Sequence, residues 1–426
     1  MQEKLSSYFH RLWPICRSIT GDGLRESFKI LQELMPLELT EVPSGTEVHD
    51  WTIPQEWNIK DAYIVTPQGK RVAEFRVNNL HVLNYSEPIN AKVSFEELAA
   101  HVYTLPEMPT AIPYVTSYYE RRWGFCMAHE EFEKLPKEGT YQVVIDSELK
   151  NGSLTYGQVV LPGNTSREVV ISSYLCHPSM ANNELSGPLV MAMLYQQLAA
   201  LENRKFTYRF VLAPETIGVI AFLSHYGPRL MEHCEAGWVL TCCGDSGPVH
   251  FKKSRRGNSL TDRISKHVLN SLPITWNELE FSVGGSDERQ YCSPGYNLPI
   301  GSFMRTPYQK YPEYHTSLDN VDFISFAAME ESVELMFQII LGMEMNETYR
   351  NKIRFGEPQL GKRGLYPNAV MPNTDKREIV HNMMHFLNWA EGELDLLDIA
   401  EKRGTSIFHL APLAIMCEQK GVVEKV

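Results

Sequence analysis

The chain has 426 residues, 43% of them hydrophobic and 22% charged, which suits folded domains with ample core and excludes a disordered protein. Its formal net charge of −12 argues against a nucleic-acid-binding surface over the whole chain, and no apolar run is long enough to span a bilayer. The length exceeds one ordinary domain, so two or three units are expected.

The amino-terminal stretch MQEKLSSYFHRLWPIC lacks a signal-peptide core, so a cytoplasmic location is expected. Eight cysteines (16, 126, 176, 234, 242, 243, 292 and 417) contain no CxxC pair, and reduced thiols follow. Residues 1 to about 45 read as largely helical, with Leu24, Phe28, Leu31 and Leu34 as an apolar stripe after the turn Gly21-Asp22-Gly23. From Asp50 to about Pro136, short alternating runs such as DAYIVTP and RVAEFRV are broken by turns at Pro67-Gln68-Gly69 and Asn78-Asn79, the pattern of a small β-rich module. Tyr114, Tyr118, Tyr119, Trp123 and Phe125 are read as that module's core, or as a wall over a cleft.

Three strands in sequence follow, Tyr141–Asp146, Leu154–Leu161 and one opening at Val169. The last ends at Cys176-His177-Pro178, where proline stops the ladder and aims the histidine off the strand's carboxyl end. A polar loop reaches Glu184, and Ser186 is placed to cap a helix carrying Leu189, Met193, Leu194 and Leu198. A second buried strand ends in Pro214-Glu215-Thr216 and a third in Gly244-Asp245. Segments containing SDE and PEYHTSLDN precede a long amphipathic helix, so the fold class is α/β with a largely parallel sheet. RFGEPQLGKRGLYPN is a Gly/Pro-punctuated linker, and the remainder is short helices with a helix-turn-helix pattern around Leu396–Gly404. From Lys376 onward, six Lys/Arg stand against eight Asp/Glu, which favours packing or homo-oligomerisation over DNA binding.

His177, Asn183, Glu184, Glu215, Asp245, Asp287 and His315 recur at successive strand ends and in the loops after them. A catalytic zinc site needs about three His or carboxylate ligands, a carboxylate to take a proton from water, and acids to orient the histidines. This inventory contains all of those parts. Cys176, beside the key histidine, is read as a small buried residue rather than a nucleophile.

The ordered segments CHPSMANNELSG, APETIG, CCGD, SDE and YHTSLDN resemble the zinc-dependent aminopeptidases of the two-metal type. The whole chain more closely resembles bacterial aminopeptidase-like proteins found with polysaccharide-biosynthesis genes. The resemblance implies a three-layer α/β/α sandwich with an inserted β module and a carboxyl-terminal winged helix. The expected boundaries are 1–45 with 137–345 for the catalytic domain, 46–136 for the insert and 346–426 for the winged helix.

It also implies roles. His177 and His315 match metal ligands, as does Asp245, and Glu215 matches the general base. Three positions depart: the bridging acid is Asn183, with Glu184 beside it; the second glutamate is Thr216; and the acid two residues past the first histidine is Ser179. One zinc is therefore expected, on His177, His315 and an acid (Asp245 or Glu184), with two left open if Asn183 or Glu184 bridges. Asp287 is assigned to orienting a histidine or holding the substrate. Arg289, Tyr291, Arg305 and Tyr311 are candidates for contacting an anionic or sugar-bearing substrate.

The expected activity is zinc-dependent hydrolysis of a peptide, N-acyl or aminoacyl-sugar amide, on a small-molecule or peptide substrate with no membrane partner. Two alternatives are a one-zinc glutaminyl-cyclase-like transferase and a ligand-binding regulatory protein with a decayed site.

Overall fold

The structure, a computed structural model, describes residues 1–366 and 376–426. It divides into two compact units, Met1–Thr261 with Trp276–Glu334, and Asp262–Thr275 with Leu335–Val426. Among the described residues no helix is long and apolar enough to cross a membrane.

The first unit is built on an eight-stranded mixed sheet. Thr207–Ala213, Glu168–Tyr174, Cys234–Leu240 and Ile300–Met304 lie side by side and parallel. Antiparallel pairing with Ser153–Leu161 on one side and Val249–Lys252 on the other extends them. Every residue of Glu168–Tyr174 and Thr207–Ala213 is buried, which is why these strands read as near-continuous apolar runs.

From Glu168–Tyr174 the chain crosses through helix Ser186–Ala199 to the neighbour on one side, then returns through helix Ile217–His233 to the neighbour on the other. Right-handed crossovers in opposite directions place the two helices on opposite faces, giving three layers. They also open a crevice at the carboxyl ends of the central strands, where such sheets bind ligands.

Local features sharpen or change the sequence reading. Residues 1 to 45 hold helices Gln2–Leu12 and Asp22–Leu31, but Glu38–Pro43 is a strand paired with Ser153–Leu161. Strand Tyr141–Lys150 joins the small antiparallel sheet, between Glu56–Val65 and Ile89–Val93, with Tyr141, Val143 and Ile145 buried. Ser186 is not an N-cap. A π-helical turn, Ala181–Leu185, runs directly into the helix, and Ser186 Oγ bonds back to Asn182 O (2.6 Å) while accepting from Cys243 N (2.8 Å). At Gly187, a Cβ would stand 2.5 Å from Leu240 O and from Ser173 Oγ, so only glycine lets the helix approach the sheet this closely.

In the second unit, Thr348–Asn351 is the middle strand of an antiparallel sheet flanked by Glu391–Asp395 and Val423–Lys425. Helix Leu396–Arg403 opens with a reciprocal Asp395–Asp398 capping box and closes at Gly404 in the left-handed region (φ 67°). Helix Ile407–Gln419 follows, capped by Ser406. This is a winged helix-turn-helix, as the resemblance implies. Of the linker RFGEPQLGKRGLYPN, Pro367 and Asn368 lie outside the described residues.

Candidate active site

The crevice beyond the central strands brings His177 and His315 together, with ring centroids 5.4 Å apart. His177 leaves the end of the central strand; His315 lies in the YHTSLDN loop with φ 55°. Ser179, Thr216 and Cys242 also have positive φ, so the loops around this pair carry backbone strain of the kind that gathers at functional sites.

His177 is held from behind. Its Nδ1 lies 3.0 Å from Glu184 Oε2, and a carboxylate can only accept, so the shared proton sits on Nδ1 and Nε2 faces the crevice. Glu184 is buried and its Oε1 is 3.4 Å from Arg17 Nε. Arg17, fully buried, also donates to His177 O (3.3 Å) and Leu12 O (2.7 Å). Cys176 accepts from Glu215 N (3.3 Å), and burial pushes its thiol up to about 11, so it serves as packing and as an acceptor. Cys176 Sγ, His177 Nδ1 and a Glu184 oxygen lie within 4.8 Å of one another, yet that nitrogen is engaged by hydrogen bonding.

His315 is neutral at neutral pH: burial, then the charge of His177, lowers it to about 3. Its Nε2 is buried without a hydrogen-bond partner. Residues 112–114 fix its loop, since Tyr114 N donates to His315 O (2.8 Å), and Ile112 and Ser317 exchange bonds of 3.0 and 2.9 Å. The Tyr114 ring stands 5.1 Å from His177 and 5.3 Å from His315, centroid to centroid. Of the two readings of the aromatic cluster, Tyr114 therefore takes the wall.

Glu215 places Oε2 3.7 Å from His177 Nε2, and its Oε1 accepts from Ser286 Oγ at 2.7 Å. Asp287 Oδ1 accepts from Thr216 N (2.7 Å); its Oδ2 is buried and unpaired. Burial, then the Glu215 charge, raises the Asp287 pKa well above the usual carboxyl range. Asp287 reaches no histidine among its hydrogen bonds. Asn183 donates from Nδ2 to Tyr174 Oη (2.9 Å), and its buried Oδ1 has no partner.

Other expected residues are not aimed at the pair. Asp245 accepts at both carboxylate oxygens from Gly247 N, Thr306 N, Thr306 Oγ1 and Asn182 Nδ2 (2.6–3.1 Å), which clasps its loop to those segments. Glu184 likewise orients His177 from the far side. Tyr291 is fully buried with its hydroxyl on Ser172 (3.0 Å). Arg305 binds Gly247 O, Ala328 O and Glu331. Tyr311 packs on Phe323 and Tyr314, with Cys242 Sγ 3.6 Å from its hydroxyl. These three hold the scaffold. Arg289 stays at the crevice, its Nη2 donating to Thr216 Oγ1 (2.9 Å).

The sequence reading missed three residues. Arg17 carries no local signal. Ser286 sits inside the SDE segment, and Asp319 inside YHTSLDN. Asp319 accepts from Asn182 N (2.6 Å) and Asn183 N (2.9 Å), clasping the π turn to the His315 loop, while burial raises its pKa to about 7.

The buried acceptors without donors, His315 Nε2 and Asn183 Oδ1, with His177 Nε2 facing the crevice, suit one divalent cation held by two imidazole nitrogens and an oxygen. Thr216 and Asn183 stand where the two-metal pattern has carboxylates, and both Asp245 oxygens accept hydrogen bonds.

Residues 7–346 match the model of a family described as a domain of unknown function, DUF4910, and residues 347–425 match a winged helix-turn-helix. A Clostridium acetobutylicum protein called "Putative polysaccharide biosynthesis protein with aminopeptidase-like domain" is 41% identical over 401 residues, 94% of this chain and 91% of that protein. The crystal structure of a "putative peptidase" from the same organism superposes with a TM-score of 0.93 at 39% identity, covering 100% of this chain and 96% of that one. A zinc aminopeptidase from Bacillus subtilis shares the fold at 12% identity, with a TM-score of 0.58 over 80% of this chain and 93% of that one.

Proposed function

This chain belongs to the DUF4910 family, and from that premise we propose that it is a zinc-dependent amide hydrolase of aminopeptidase type, acting on a peptide or on an N-acyl or aminoacyl-sugar amide. The observation that carries this reading is the histidine pair, His177 buried and His315 half-buried with its Nε2 shielded and unpaired, with the Glu215 carboxylate beside it. His177, His315 and the Asn183 amide oxygen would hold one ion. Zinc, when bound, supplies Lewis acidity that polarises an amide carbonyl and brings the pKa of water to about 7.

The remaining work falls to the chain's own groups. Glu215, its other oxygen fixed by Ser286, takes the water's proton at Oε2 and passes it to the leaving amine. Glu184 and Arg17 keep the His177 proton on Nδ1. Tyr114 packs its ring against both histidines and fixes their orientation.

Metal content by mass spectrometry, on protein purified without chelator or affinity metal, tests the assignment. About one zinc per chain is expected, lost in His177→Ala and His315→Ala. It should be retained in Glu215→Gln while hydrolysis of an amide panel disappears. A metal-free, folded and active chain would sink the reading. The losses at Asn183 and Thr216 also suit a one-metal cyclising transferase, for which ammonia release from a glutaminyl peptide without hydrolysis is the distinguishing result.

A further inference from the structure

Thr216, directly after Glu215, is flanked by two residues of one short segment. Asp287 accepts its N–H, and Arg289, two residues on, donates to its hydroxyl. The family pattern places a metal-binding carboxylate at this position, and here a guanidinium occupies its side chain instead. Arg289 is half-buried, and its Nε is shielded from solvent with no hydrogen-bond partner. A guanidinium offers five N–H donors in a planar fork, and Thr216 engages one of them.

The acids that would hold a substrate's α-ammonium are mostly committed elsewhere. Glu184 serves His177 and Arg17, Asp245 has four donors, and one oxygen of Glu215 is on Ser286. Asp287 is fully buried, with Oδ1 accepting from Thr216 N.

We propose that Arg289 binds an oxyanion of the substrate, a carboxylate or phosphate, beside Glu215, so that the site takes amides carrying an anionic group rather than peptides with a free α-ammonium. The inference rests on the hydrolase reading of the same site and names its substrate class. A planar fork matches either oxyanion in two parallel bonds, which a lysine ammonium cannot reproduce.

The test is calorimetric titration of the full zinc-loaded chain with N-acetylglycinate, inorganic phosphate and glycinamide at one ionic strength. It is repeated in Arg289→Lys and Arg289→Gln, with circular dichroism confirming that each is folded. At least one anion should bind, weakened about tenfold or more in Arg289→Gln and less in Arg289→Lys. The arm that binds identifies carboxylate or phosphate. Tighter binding of glycinamide, absence of binding by both anions, or anion affinity unchanged in Arg289→Gln would each overturn the inference. A parallel amide panel separates the two readings: hydrolysis of neutral and anionic amides alike would end this inference and leave the hydrolase. Arg289-dependent anion binding with no turnover would do the reverse.

Discussion

Glu184 Oε2 lies 3.0 Å from His177 Nδ1, seven residues along the chain from the histidine it orients. The aminopeptidase pattern places that acid two residues after the histidine, where this chain has Ser179. The π turn Ala181–Leu185, clasped by Asp319, brings Glu184 back beneath the ring, and buried Arg17 balances its charge. The carboxylate on His177 Nδ1 is thus supplied by the π turn and not by position 179.

Glu184→Gln removes that charge and should weaken zinc binding by about 10- to 100-fold, read by competition with a chromophoric chelator. Arg17→Met strands a buried carboxylate and should cost about 3–5 kcal/mol in urea unfolding. The double variant Arg17→Met/Glu184→Gln should recover part of that loss, since the two residues are coupled.

Tyr114 touches both histidine rings through its face and edge, not its hydroxyl, which is 2.7 Å from Tyr118 Oη. Tyr114→Phe should therefore keep most activity, whereas Tyr114→Ala should lower kcat/KM by about 10- to 100-fold through looser positioning. Equal losses in both would show that the hydroxyl takes part.

Arg25 and the backbone N–H of Ser153 hold Glu56, and the hydrogen bond from Arg25 is the main reason its pKa falls to about 2. The folded pKa is depressed, so the stabilisation is full above the unfolded value near 4.5 and is lost as pH falls from there toward 2. The urea midpoint should drop across that window in the native chain and drop less in Glu56→Gln.

Helix Ile407–Gln419, the second of the helix-turn-helix, contains no lysine or arginine, and its exposed positions include His409, Pro412, Ile415 and Gln419. Without phosphate-neutralising charge on that helix, salt-dependent binding to duplex DNA should be no tighter than about 10⁻⁴–10⁻⁶ M by fluorescence anisotropy. Tighter, sequence-selective binding would assign the helix to base reading.

The sequence alone determined the central strands, the crossover helices and the two histidines, but not strand Glu38–Pro43. A β-branched run such as Val169–Tyr174, a proline after His177 and helical spacing of Leu189, Met193 and Leu198 act through neighbours a few residues away, so they are legible locally. The direction of each polar side chain was decided only by packing. Asp245 becomes a clasp because donors from Thr306 and Asn182, about sixty residues away on either side, converge on it. Glu184 becomes an orienting acid because Arg17, distant in sequence, is buried beneath it. Tyr291 and Arg305 were drawn into the scaffold by Ser172 and Ala328. A buried polar atom must find its partner wherever the fold supplies one, and that choice is made by tertiary contacts the local sequence does not encode.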